Sequence, residues 1–163
     1  MNRPGHVVVD LACAAAYSYL AVQDWRWWVP GAAVSVITCQ GWFSPDADQS
    51  WLRGLPGGHR GMSHWLGWPV LVAAGLLGAG VSHPLAWYAL VGWVSHLVGD
   101  FLVGEAPMGV PLSPFGGWRV GLGALTPGTW LLRTGGVVEK LAAYGFAVGV
   151  GWVLLGHPGW EGM

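Results

Sequence analysis

The amino-acid sequence predicts an all-α fold: an integral membrane helical bundle of four to five transmembrane helices with a metal site at its cytoplasmic face. Three observations carry this expectation. The chain is 53% hydrophobic and only 9% charged, whereas soluble domains carry about 25% charged residues. Its apolar residues gather into runs close to the roughly 20 residues needed to cross a hydrocarbon core. The side chains able to bind metal collect at one end of those runs. At 163 residues the chain suits a single domain, 1–163.

The first run, about 5–23 (HVVVDLACAAAYSYLAVQ with its flanks), follows Arg3. Arg3 ahead of an apolar stretch is also a mark of a secretory leader, but Asp10 interrupts the run. The second, about 27–43, and the third, about 65–81, are separated by the polar Ser44–Gly58 connection. The fourth spans about 84–103 and the fifth about 141–156, joined by the long Gly104–Lys140 loop. Trp and Tyr crowd the ends of these segments, as at membrane interfaces. Glycines recur at close spacing in the third and fifth, permitting near approach between helices. Cys13 and Cys39 fall in apolar segments without CxxC spacing and read as small buried residues.

Charge assigns the sides. With five spans, Arg3, Arg53, Arg60, Arg119, Arg133 and Lys140 share one side and Arg26 stands alone on the other, so the N-terminus is expected in the cytoplasm. The net charge of −1 and the lack of any basic cluster set nucleic-acid binding aside.

The same side collects His6, Asp46, Asp48, His59, His64, His96, Asp100 and Glu139, from separate parts of the chain. His96 and Asp100 are four apart and can present a nitrogen and an oxygen to one point. Burying such groups among apolar residues costs several kcal/mol unless they are paired or hold a cation. Imidazole and carboxylate together suit Zn, with Mn or Fe as alternatives, and the absence of thiolates points away from a purely structural zinc. Eight candidate ligands exceed the four of one tetrahedral ion, so more than one ion is expected. Taken singly, each residue has a plainer reading: Asp46 and Asp48 as a solvated turn, Glu139 as the partner of Lys140, His96 and Asp100 as a structural pair. Their convergence in a chain that spends little charge elsewhere favours the metal. His83 and His157, each followed by Pro on the far side, read as interfacial residues.

In GGHRGMSHW two histidines five apart cannot share a helical face, so His59 is expected on a turn ahead of the third helix, with Gly58 and Gly61 allowing the bend. Arg60 between them is a candidate for holding a phosphate, or equally for anchoring to lipid headgroups.

Five motifs in order resemble the YdjM-type family of inner-membrane proteins, described as metal-dependent hydrolases and often controlled by the SOS repressor. They are GHVVVDLACA, SPDADQ, GHRGMSHW, GWVSHLVGDFLV with GVPLSPF, and RTGGVVEKL. Ser63 and Val103 stand where the family usually has Thr, the Gly104–Met108 stretch lengthens the following loop, and the Asp48–His59 loop is short. Asp10, one turn from His6, is unusual for the family and is expected to orient that imidazole. The resemblance implies a location in the bacterial inner membrane and a distant similarity to zinc-dependent phospholipase C. By carry-over it also implies metal-site roles for His6, Asp46, His59, His64, His96, Asp100 and Glu139, with Asp48 as a ligand or a supporting group.

The expected function is therefore metal-dependent hydrolysis of a phosphoester or related ester, with a phospholipid as the nearest substrate. Asp46 or Glu139 would assist as base and Arg60 would steady the anion. The alternative is a membrane protein that binds a divalent metal without catalysis, as a carrier, a sensor or a structural partner.

Overall fold

The computed structural model describes residues 3–50, 53–54, 62–103, 110–111, 119–120 and 137–155. Five helices dominate: α1 (Arg3–Tyr17), α2 (Trp28–Gln40), α3 (Trp68–Gly78), α4 (His83–Val103) and α5 (Val137–Leu155). All five runs expected from hydropathy are helical. A pairing not expected from the sequence joins β1 (Val110–Pro111) to β2 (Arg119–Val120), antiparallel with Val110 opposite Val120. β1 lies beside α4 and the 3₁₀ turn Met62–His64, so part of the long connection returns to the end of the bundle that carries the predicted ligands.

Local chemistry sets where the helices begin and end. Pro4, Pro30, Pro69 and Pro84 all fall in first turns, where a missing N–H costs nothing and the fixed φ is already helical. α1 loosens at its far end into a π turn over Ser18–Val22, closed by the Gln23 amide donating to the Ser18 carbonyl at 2.8 Å. α3 ends at Gly80, whose φ of +81° suits glycine. There the Val81 amide donates to the Leu76 carbonyl and the Gly80 amide to Leu77, a Schellman closure that turns the chain straight back into α4. At the α1–α2 turn the Arg26 guanidinium beside Asp24, 2.7 Å away, holds the carboxyl below its ordinary range. Both residues are solvated, and that pairing is lost as pH falls through the lowered value.

α4 is the central helix and packs on α1, α2 and α3, while α5 packs on α1. The α2–α4 crossing is close because it is built on glycine. A Cβ at Gly92 would strike the Ser35 carbonyl and the Thr38 hydroxyl, and one at Gly31 would enter the Tyr88 ring. Farther along, the Tyr88 hydroxyl meets Ser18 Oγ, which also donates to the Ala14 carbonyl at 2.7 Å. α1 and α4 therefore run antiparallel, with His6 and His96 at one end and Ser18 and Tyr88 at the other.

Polarity is inverted relative to a soluble bundle. Val29, Trp42, Phe43, Val70, Leu71, Val148, Trp152 and Val153 are exposed, whereas His6, Asp10, Ser35, His64, Ser95, His96 and Asp100 are buried. A helix apolar on its outer face sits in lipid. Among the described residues, one helical stretch, Pro4–Val22, joins sufficient length to a mean hydropathy of 1.4 for a full crossing; Trp68–Gly78 and Lys140–Val153 are apolar but shorter. α2 stops at Gln40 after 13 residues, about 20 Å of helix. The five runs are thus helical without all five having the length of a complete span.

Asp10 departs from its expected role. Its Oδ1 accepts from Ser35 Oγ at 2.6 Å and Ser95 Oγ at 2.9 Å, so the carboxylate ties α1 to α2 and α4 and does not orient His6. The serines of α2 and α4 offer short, strong donors in a dry interface, and they win the carboxylate.

Replacing Gly92 with Ala is expected to push α2 and α4 apart and cost about 1–3 kcal/mol. A lowered melting temperature by circular dichroism in detergent, with Gly75→Ala as the control in open space, checks this.

Candidate metal centre

The centre is assembled by topology. α1 leaves from it, α2 returns to it, and the α3–α4 hairpin leaves and returns again. His6 comes from the first turn of α1. Asp46 comes from the 3₁₀ turn Pro45–Gln49, which starts where Gly41 ends α2 in extended backbone. His64 closes the Met62–His64 turn, pinned to α3 because Trp68 Nε1 donates to the Met62 carbonyl at 2.8 Å. His96 and Asp100 lie one turn apart near the end of α4.

The Nε2 atoms of three imidazoles converge on two carboxylates. His6 Nε2 is 3.5 Å from Asp100 Oδ1. His64 Nε2 is 3.2 Å and His96 Nε2 3.5 Å from Asp100 Oδ2. Both of the latter nitrogens stand 3.7 Å from Asp46 Oδ1. The His6 and His96 rings stack at 4.1 Å, and His64 meets His96 edge-on.

These separations bear on two accounts. A charge-assisted N–H···O bond would draw the atoms to about 2.7–2.9 Å, and none of the five contacts is that short. Two ligands each about 2.1 Å from one tetrahedral ion stand about 3.4 Å apart, which is the middle of the observed range. The far sides of the rings agree. His96 Nδ1 is 2.7 Å from the Cys39 carbonyl, so it carries the proton and donates, leaving the lone pair on Nε2 toward the carboxylates. Gln40 Nε2 stands 3.2 Å from the same nitrogen. His64 Nδ1 is 3.0 Å from Ser63 Oγ, where the hydroxyl oxygen can accept. His96 Nε2 is buried and has no hydrogen-bond partner among the described residues.

Two overlapping donor sets result, His6 with His96 and Asp100, and Asp46 with His64 and His96. One nitrogen lone pair serves one ion, so His96 can belong to only one of them. Asp100 faces His6 with one oxygen and His64 and His96 with the other, the disposition of a carboxylate able to bridge. Asp46 is the open side: its side chain is 25% exposed, against 1–2% for the other donors.

Of the residues expected from the sequence, His6, Asp46, His64, His96 and Asp100 come together. Asp48 lies in the Asp46 turn and Glu139 in the first turn of α5, four residues before Ala143, which packs on Val9. The side chains of Asp48 and Glu139, and His59 and Arg60 altogether, lie outside the described residues, as does His157. His83 accepts from Trp87 Nε1 at 2.9 Å. Cys39 is buried as expected and Cys13 partly so. Sequence reasoning missed the supports of the rings. Ser63 and the Cys39 carbonyl carry no signal in sequence, but Gln40, a polar residue closing an apolar helix, was visible.

The family profile of the YdjM inner membrane protein matches residues 1–157. No curated protein and no solved structure matches the chain.

Metal content of the detergent-purified protein, measured by mass spectrometry, is expected to be stoichiometric and to be lost in His96→Ala/Asp100→Ala while helical circular dichroism persists. His83→Ala should retain it, and Ser63→Ala should weaken affinity about 10–100-fold.

Proposed function

The chain belongs to the YdjM inner membrane protein family, and on that premise we propose that its buried donor cluster is a divalent-metal centre for hydrolysis of a phosphoester or related ester at the membrane surface. The observation that carries this reading is the set of 3.2–3.7 Å nitrogen–oxygen separations, drawn from four elements into a bundle that is otherwise apolar outside. Zinc suits the donors best, with Mn or Fe as alternatives. When bound, such an ion lowers the pKa of a coordinated water and polarises a phosphoryl or carbonyl oxygen.

The protein's own residues divide the remaining work. His64, His96 and Asp100 would supply three donors for one ion, which would leave a position open for water. His6 and the other oxygen of Asp100 begin a second site, for which His59, Asp48 and Glu139 are the sequence's candidates. Ser63 and the Cys39 carbonyl hold two rings with their lone pairs inward. Asp46, on the open side, is placed to take a proton from an attacking water, with Glu139 as the other candidate base, and Arg60 steadies the anionic group. A phospholipid is the nearest substrate because a shallow site meets headgroups first.

In this reading all five helices run between the two membrane faces, and the N-terminus and the centre face the cytoplasm, the side holding six of the seven Lys and Arg residues.

A second reading, divalent-metal carriage without turnover, is favoured by one observation. Buried polar groups continue past the centre along the α1–α2–α4 interface, from Asp10 with Ser35 and Ser95 to Ser18 with Tyr88.

The metal-loaded protein is expected to hydrolyse a phospholipid or a generic phosphodiester, and Asp46→Asn to lower kcat by about a hundredfold or more. No turnover on either substrate, together with metal flux into proteoliposomes, would transfer the function to the carrier reading. For orientation, Gln49→Cys is expected to react with an impermeant maleimide only after lysis and Arg26→Cys in intact spheroplasts.

A further inference from the structure

One turn deeper than the metal centre, Asp10 is completely buried where α1, α2 and α4 meet. Its carboxyl bonds the serine hydroxyls of α2 and α4 and none of the described donors of the centre. Among the described residues the ionisable groups around it are the thiols of Cys13 on α1 and Cys39 on α2, and His96 on α4. From α5, Ala143 reaches the neighbouring Val9. The thiols carry no positive charge, and His96 gives its Nδ1 proton to the Cys39 carbonyl. No cationic side chain among the described residues therefore balances this carboxyl. An isolated carboxylate in such a setting is among the costliest groups in a membrane protein, so either a proton or a metal ion must neutralise it.

The oxygen separations tell which. Asp10 Oδ1 stands 2.6 Å from Ser35 Oγ and 2.9 Å from Ser95 Oγ, and Ser95 Oγ stands 2.8 Å from the Gly92 carbonyl. Three contacts of hydrogen-bond length call for a hydrogen in each, and the two hydroxyls bring one apiece. With an ionised carboxylate, Ser95 would divide its hydrogen between two acceptors, and the charged one would draw the hydroxyl to about 2.5–2.7 Å. The observed 2.9 Å is longer. A hydrogen on Asp10 completes the set: Ser35 donates to Oδ1, Oδ1 donates to Ser95, and Ser95 donates to the Gly92 carbonyl. The Ser95 contact then runs from acid to hydroxyl. The short Ser35 contact lies within the range of neutral O–H···O bonds, and a chain of bonds in one direction strengthens its members. Oδ2 is shut away from water without a partner among the described residues, so a hydrogen placed there would meet no acceptor. As a neutral carbonyl oxygen it costs far less unpaired than half of a carboxylate would. A metal ion fits worse. Around magnesium, which holds its oxygens closer than calcium does, neighbouring ligands stand about 2.8–3.0 Å apart, and the Ser35 contact is shorter.

We infer that Asp10 is a resident proton site, a neutral carboxylic acid whose hydrogen completes a chain of bonds from α2 through α1 to α4. The proton locks three helices together below the centre without placing a charge among them. It also closes the buried polar track to a divalent ion at this depth, since a neutral carboxyl with both neighbours engaged has no charge to attract one. The assignment counts against the carrier reading and does not depend on what the centre catalyses.

The test is infrared difference spectroscopy of the full chain in nanodiscs, wild type minus Asp10→Asn at neutral pH. The expected signal is the C=O stretch of a protonated carboxylic acid, above the amide band and lowered in protein prepared in D2O. Carboxylate stretches with no acid band would overturn the assignment. Where Asp10→Asn does not fold, Ser95→Ala gives a second reading: an acid band displaced from its wild-type position supports the proton, and displacement confined to carboxylate bands overturns it. Asp10→Asn, a neutral carboxamide with hydrogens for both serines, should melt within about 3 °C of the wild type, and Asp10→Ala about 5 °C or more lower. A marked rise in Asp10→Asn would reveal a relieved charge and count as refutation. Wild-type melting should be equal in choline, sodium and potassium chloride; a sodium or potassium effect that Asp10→Asn abolishes would replace the proton with a cation. Metal content should be unchanged in Asp10→Asn, and loss of a metal equivalent would make Asp10 a ligand and overturn the inference. An acid band in a wild type that binds no metal would support the proton site and overturn the metal centre instead.

Discussion

One buried and one half-buried carboxylate meet three buried imidazoles at one end of a bundle whose outer surface is apolar, and the rest of the structure answers to that cost. Asp46 and Asp100 carry up to two negative charges where water is scarce, and each would be expensive alone. A divalent cation, as proposed, would cancel that charge, and the nitrogen lone pairs that would repel the carboxylates would become ligands beside them. The five separations suit atoms that share a cation, and the proton position set by the Cys39 carbonyl at His96 fits the same account.

Meeting this requirement takes nearly the whole topology. The donors come from α1, two turns and α4, so every crossing that brings the chain back to the same end matters. The Schellman closure at Gly80 sends α4 back toward His64. Gly92 and Gly31 let α2 and α4 touch at backbone distance, placing the Cys39 carbonyl within reach of His96. The Asp10 carboxylate draws α1, α2 and α4 together one turn deeper. Fold stability and ligand geometry are therefore set by many of the same contacts.

An apolar cavity lined by Val34, Val72, Leu76 and Ala89 lies a few residues from the polar centre. Ser44 and Asp46 share a turn, and so do Ser63 and His64; Trp93 and His96 share a turn of α4.

The sequence by itself determined the helical runs, the one-sided gathering of ionisable residues and the pairing of His96 with Asp100, because helix periodicity and the cost of charge in lipid are local rules. His6, Asp46 and His64 could be nominated from the same rule and from motif resemblance, but not joined. Their meeting depends on how far each helix travels before it turns, which hydropathy reports only loosely, as the short α2 and α3 illustrate. Tertiary structure alone decided that Asp10 serves Ser35 and Ser95 and not His6, that the Cys39 carbonyl meets His96, and that β1 returns beside the centre. Each of these is a choice among partners distant in the chain, and such a choice is made by packing in three dimensions.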